Sequence, residues 1–315
     1  MKAKVVTVTL NPALDKTVTV ERFQYGEVNR VCQLRVDAGG KGINVAKVLH
    51  RFGVPVLATG LIAGTQGDQL VKRLAEDGVP FDFVEVPGET RVNLKIVDAA
   101  HKVTTEINEP GFSVAPQDLA RFTEKLAALL DEAAVLVLSG SLPRGVAPSV
   151  YADFIRLAHE KGVKAILDAD GPALGEGLRA RPFAVKPNAA ELERLVGRPL
   201  AGEADVVAAA RTLREAGVSL VVVSLGKDGA VVLDRQAGFR VWPFTVEPQS
   251  TVGAGDAMVA AMAYALLEGL SLEELARWAT AAGTVTAAKS GTQVCTLAEV
   301  RAALDRVRVA ALEAV

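Results

Sequence analysis

The sequence predicts an α/β fold: a mostly parallel sheet covered by helices on both faces, with a small β-sheet lid over one side. Three observations carry this reading. Strand-like and helix-like runs alternate along most of the chain. Several strand runs are continuously apolar, such as Val135-Leu136-Val137-Leu138, as expected of strands buried on both faces. Two stretches, Thr17–Val36 and Phe81–Ile107, break the alternation, being strand-rich without a long helix.

The elements follow in order. Val5–Leu10 is a short apolar run broken by threonines and stopped at Asn11-Pro12, which is a strand entering a turn and not a secretory leader. Further strands are predicted at Val56–Leu61, Ala134–Leu138, Lys164–Leu167, Phe183–Val185, Leu220–Ser224 and Ala230–Leu233. Helical periods lie between them at Ile43–Phe52, Gln69–Glu76, Pro116–Leu130, Val150–Lys161, Ala189–Val196 and Ala204–Ala216. Polar and apolar residues alternate in Arg91–Ile96, which predicts one wet face and leaves the other free to cover a ligand. The chain therefore reads as one domain over residues 1–315, with a discontinuous lid from about 15–36 and 81–108. A lid with an exposed sheet face predicts pairing into a homodimer. The last third reads as mostly helical, and its longest apolar stretch, Ala257–Leu267, is too short to span a bilayer.

Composition narrows the function. Of the 315 residues, 50% are hydrophobic and 23% charged, ample for a buried core. The net charge of -2 is not the footprint of a nucleic-acid binder. An anionic ligand must be held by locally placed cations and backbone N–H groups. Cys32 and Cys295 cannot build a disulfide framework or a four-thiolate zinc site, and His50, His101 and His159 lack close metal-ligand spacing. These features predict a cytoplasmic protein with neither nucleic acid nor membrane as partner.

Two glycine motifs carry the chemistry. Ser250-Thr251-Val252-Gly253-Ala254-Gly255-Asp256 opens a long apolar helix. The first N–H groups of a helix have no internal partner and favour an anion. Asp256 adds a carboxylate at the same place. Donors beside a base suit phosphoryl transfer to an alcohol. Taken alone, an aspartate that complements the helix dipole is the commoner arrangement. Asp37-Ala38-Gly39-Gly40-Lys41-Gly42-Ile43-Asn44 is the second motif, where glycines admit a ligand close to the backbone and Lys41 and Asn44 offer donors. A plain strand-to-helix turn weighs evenly against it. Asn188 and Glu191, three apart at a helix start, read as oxygen ligands for hydrated Mg²⁺ or, on local grounds better, as a capping box. Ser224-Leu225-Gly226-Lys227-Asp228-Gly229 reads as a ligand crevice at a strand end or as a hairpin turn. No Walker motif, dinucleotide fingerprint or nucleophile elbow occurs.

Together these residues resemble the PfkB carbohydrate kinase family, whose fold is the ribokinase-like three-layer α/β/α sandwich. Gly39–Ala46 and Thr251–Asp256 resemble its two signatures. Thr9–Asp15, Thr90–Lys95, Ser139–Pro143 and Lys186–Asn188 place the likeness in its sugar-phosphate kinase branch, over essentially the full length. The resemblance implies ATP-dependent phosphorylation of a ketohexose phosphate. Gly40-Lys41-Gly42 and Gly111-Phe112 favour fructose 1-phosphate as the acceptor, with tagatose 6-phosphate and fructose 6-phosphate as rivals. A non-catalytic sugar or nucleotide sensor is a rival of another class, against which the presence of Asp256 stands.

The resemblance also implies roles. Asp256 is the base, and the N–H groups of Gly253, Ala254 and Gly255 form the anion hole. Asp15, Gly39, Gly40, Lys41 and Asn44 hold the sugar, and Arg91 its phosphate. Lys186, Asn188, Ser224, Gly226 and Gly229 line the ATP site, and Asn188 and Glu191 serve Mg²⁺. The loop after Ala288, with Gly291, flanks a monovalent cation, K⁺. Two departures stand out. Ala257 follows the base where serine is common, and Asp168-Ala169-Asp170-Gly171 replaces a commoner Asp-Ser-Ser-Gly-like turn, so that Asp170 adds a carboxylate whose direction the sequence does not fix.

Overall fold

Side-chain alternation in Val5–Thr9 decides the layers: Val5 enters one apolar core, Val6 and Val8 the other, and all three are fully buried. The computed structural model describes residues 4–312. Among these, ten strands form the large sheet. Its parallel part runs in the spatial order Leu220–Ser224, Ala184–Val185, Lys164–Asp168, Val135–Ser139, Val5–Thr9, Val56–Ile62 and Phe81–Glu85. Antiparallel strands Ala230–Leu233, Gly238–Trp242 and Arg308–Ala311 extend it beyond Leu220–Ser224. Helices Lys41–Arg51, Ala254–Glu268 and Leu272–Ala287 cover one face. Helices Pro116–Leu130, Val150–Glu160, Gly171–Arg179 and Glu203–Glu215 cover the other. The result is the expected three-layer sandwich. No helix among the described residues is long and apolar enough to cross a membrane.

The lid is a separate sheet in the order Val31–Gly39, Ala13–Val20, Arg91–Asp98 and Val103–Asn108. Its expected second segment began too early. Phe81–Glu85 pairs in parallel with Val56–Ile62 at the edge of the large sheet. The Gly64–Glu76 helix between them makes a strand–helix–strand crossover, which returns the second strand parallel to the first. The C-terminal third also carries the sheet-closing strands Gly238–Trp242 and Arg308–Ala311, so it is less helical than expected. Pro172 starts the unforeseen Gly171–Arg179 helix, whose three glycines make its propensity poor.

The lid's two faces differ, and they are turned the opposite way from the expectation. The polar side chains of Thr17, Thr19, Gln33, Arg35, Lys95, Thr104 and Glu106 line a crevice of ≈ 650 Å³. Loops Pro248–Val252 and Ser290–Thr292 form its other wall. Leu34, Val103 and Ile107 point to the outer side and are more than half exposed. The wet face of the alternation is the one that covers the crevice.

Candidate active site

Gly253 adopts a left-handed φ of 77°, which lets the chain turn into the Ala254–Glu268 helix. Asp256 lies in that first turn and is 7% exposed. Asn44, in the first turn of Lys41–Arg51, donates from Nδ2 to Asp256 Oδ2 at 2.7 Å. The two glycine motifs, remote in sequence, thus meet at one carboxylate. Burial foremost, and then the charge of Asp168, push the Asp256 carboxyl up to about 6, against the Asn44 hydrogen bond and the positive charges of Lys41 and Lys186. A carboxylate poised there is ionised at neutral pH yet more basic than an ordinary one.

Asp168 ends the Lys164–Asp168 strand and is 1% exposed. Its Oδ1 lies 3.4 Å from Lys41 Nζ and 3.3 Å from Lys186 Nζ. Its Oδ2 is buried without a hydrogen-bond partner. Asp168 therefore faces the site, while Asp170, the additional carboxylate whose direction the sequence left open, is exposed at the N-cap of Gly171–Arg179. Burial alone would lower the Lys41 ammonium, but Asp168, Asp256 and Glu191 together hold it above its ordinary value. Lys186 Nζ sits 3.4 Å from the position of a Cβ on Gly255. Two ammonium groups beside a helix N-terminus concentrate positive potential at one point, which favours a bound anion.

The sugar side lies at the lid's root. Gly39 packs against Asp15 so closely that a Cβ on it would fall 2.6 Å from Asp15 Cγ. Gly40, with φ 121°, would place its Cβ 2.8 Å from Thr9 Cγ2. Asp15 is buried, receives Asn93 Nδ2 on Oδ1 at 3.0 Å, and pairs with Lys95 Nζ through Oδ2 at 3.1 Å. Arg91 donates from Nε to the Asn11 carbonyl and from Nη1 to the Glu109 carbonyl, both at 3.2 Å. Desolvation lowers its guanidinium, with Asp15 and Glu109 opposing. Arg91 is thus braced at the base of the lid, near Asp15.

On the nucleotide side, Asn188 and Glu191 form a complete capping box on the Ala189–Val196 helix. The local reading of that pair holds, and Glu191 still lies within electrostatic reach of Lys41. Asn188, Ser224 and Gly226 share a cavity of ≈ 460 Å³. Gly229 is not among its lining residues. A Cβ there would fall 2.0 Å from the Val241 carbonyl oxygen, so its glycine is required by strand packing at the Ser224–Ala230 hairpin turn. Asp168, Asn93 and Lys95 are site neighbours to which the sequence assigned no role. The signal for the last two was their shared parity with Arg91 on one strand face.

The pfkB family carbohydrate kinase profile matches residues 8–299. The 1-phosphofructokinase of Rhodobacter capsulatus is 45% identical over 89% of this chain and 89% of its own. That of Haemophilus influenzae is 39% identical over 99% of both. Phosphofructokinase-2 from Escherichia coli, solved in complex with potassium, superposes with a TM-score of 0.92 at 34% identity, over 96% of this chain and 99% of that one. The same enzyme has been solved as a tetrameric inhibited form. With a matching profile across most of its length and with both signature motifs meeting at Asp256, the chain belongs to the pfkB family of carbohydrate kinases.

Proposed function

We propose that the protein transfers the γ-phosphoryl group of ATP to the 6-hydroxyl of fructose 1-phosphate, giving fructose 1,6-bisphosphate. One observation carries the reaction type: the Asn44–Asp256 pair stands beside Lys41 and Lys186 at the N-terminus of Ala254–Glu268. Asp256 takes the proton of the acceptor hydroxyl as that oxygen attacks phosphorus in line. The N–H groups of Gly253, Ala254 and Gly255, with both lysines, hold the charge that spreads over the migrating group. Asp15, Gly39, Gly40 and Asn44 orient the sugar. Arg91 offers its remaining N–H groups to the phosphate at the far end.

ATP binding follows from the family, with Ser224 and Gly226 lining its crevice. A Mg²⁺ ion fits oxygen donors already in place, the unpartnered Asp168 Oδ2 and the Asn188–Glu191 corner. When bound it neutralises charge on the ATP phosphates. A potassium ion is proposed at the turn of Ser290–Thr292, which lies beside Ser250–Val252 on one wall of the crevice. Self-association through the lid belongs to the same proposal. Every exposed large hydrophobic among the described residues, Tyr25, Val28, Val31, Leu34, Val103 and Ile107, lies on the lid or its connecting loop.

The acceptor rests on the relatives named 1-phosphofructokinase. Phosphofructokinase-2 from Escherichia coli, also solved in complex with fructose-6-phosphate and 33% identical, favours a 6-phosphate as the second reading. ADP release at saturating Mg-ATP, with fructose 1-phosphate, fructose 6-phosphate and tagatose 6-phosphate, decides between them. The expected ranking by kcat/KM puts fructose 1-phosphate first. A lead for either 6-phosphate overturns the acceptor and leaves the kinase standing.

A further inference from the structure

We propose that Asn93 and Lys95 determine which sugar the site accepts: Lys95 fixes the Asp15 carboxylate in one orientation, and Asn93 Oδ1 receives a sugar hydroxyl. This rests on the kinase reading above and adds two residues to its sugar site. The lid's parallel register places Asp15 opposite Asn93 and Thr17 opposite Lys95, so all four share one face of the lid, of which Thr17 and Lys95 line the crevice. Asp15 is held on three sides. Asn93 donates to one oxygen at 3.0 Å, Lys95 pairs with the other at 3.1 Å, and the Gly39 backbone lies against its carbon. A carboxylate fixed this way still has acceptor capacity left, since two oxygens offer about four lone-pair sites.

Part of the polar capacity of this knot is unused. Lys95 is 7% exposed, an uncommon burial for an ammonium, and one of its three donors is spent on Asp15. Asn93 Oδ1 is buried and has no hydrogen-bond partner. A buried acceptor left unmade is costly, so a site that carries one gains when a donor arrives. Spare donor and acceptors side by side suit groups that both give and take a hydrogen bond. Adjacent hydroxyls of a ketohexose phosphate are such groups. A lysine–aspartate pair that merely fastened two strands would leave this orphan unexplained, and apolar residues of similar size fasten strands as well.

The test pairs variants with a substrate analogue. Wild type, Asn93→Leu and Lys95→Met are assayed with fructose 1-phosphate and with its 3-deoxy and 4-deoxy analogues, at saturating Mg-ATP. Asn93→Leu is expected to raise KM for the full sugar roughly ten- to a hundredfold, the cost of one unmade buried hydrogen bond. For one deoxy analogue kcat/KM stays as in wild type, so discrimination against it collapses. Lys95→Met is expected to raise sugar KM over a similar range while KM for ATP holds, and Lys95→Arg restores part of the loss. Parallel decline on full and deoxy sugars, or an ATP KM that rises in step, overturns the proposal. If Lys95→Met does not fold, as read by its thermal melt, the Asn93→Leu ratio decides alone. Should wild type prefer a different ketohexose phosphate, the acceptor assignment fails and the same ratio is measured on the preferred sugar.

Discussion

The large sheet and the lid obey the same alternation rule toward opposite ends. In Val135–Ser139 every residue is buried, because helices cover both faces. In the lid, polar side chains face the crevice and apolar ones face outward. A sheet over a polar ligand turns its polar face inward, which leaves the apolar face needing cover of its own. The two sheets therefore answer differently to one substitution. Val137→Asp puts a carboxylate at a fully buried position, at a cost of several kcal/mol, comparable to the stability of a whole domain. Loss of soluble folded protein is expected. Leu34→Asp, at a position 56% exposed, is expected to leave the protomer folded and, in sedimentation, to break the lid-mediated dimer proposed above into monomers. A collapse of the Leu34→Asp protomer in a thermal melt would show that the outer face belongs to the protomer's own core.

Two carboxylates sharpen the contrast at the level of the site. Asp15, on the lid, has each oxygen bonded once by a neighbouring side chain. Asp256, on the body, has a hydrogen bond from Asn44 and a buried setting that makes it basic. The first is built to hold and the second to accept a proton. Asp256→Asn keeps the shape and removes the acceptor, and loss of a placed general base typically costs ~10²–10⁴ in rate. The kcat of ADP release should fall by that range while ATP affinity, measured by titration, holds. A folded Asp256→Asn variant with near-normal kcat would mean that another group takes the proton.

The sequence made the body more legible than the lid. Continuous apolar runs such as Val135–Leu138 have one physical explanation, burial on both faces, and the layers followed from it. Phe81–Glu85 misled because it opens a strand-rich stretch without a long helix, and as an edge strand of the large sheet it is only partly covered, with Asp82 and Glu85 exposed. Asn93 and Lys95 passed as wet-face residues, since local alternation distinguishes polar from apolar and not solvent from ligand. Asp168 was visible as a carboxylate near a strand end. Its direction depends on Lys41 and Lys186, which reach it from distant points in the sequence. Asn188 and Glu191 were legible as a capping box because that motif closes within four residues.

The smallest expected effect concerns pH and tests whether charges from two separate elements of the body act on one base. Burial first and Asp168 second raise the Asp256 carboxyl to about 6. The base works only when deprotonated, so a raised value means that activity is lost at a higher pH than an ordinary carboxylate would give. The value of kcat/KM for the sugar should hold above that point and fall about tenfold per unit below it. Asp168→Asn removes the repelling charge, which favours the ionised form of Asp256 and moves this limb to more acidic pH. Lys41→Met removes an attracting charge and moves it the other way, toward neutrality. The measurement is the pH profile of kcat/KM for the three proteins at saturating Mg-ATP. Shifts of opposite sign identify Asp256 as the titrating group. A limb that stays fixed in both variants assigns it to a group outside the reach of Asp168 and Lys41, and the base would then have to be sought elsewhere in the crevice.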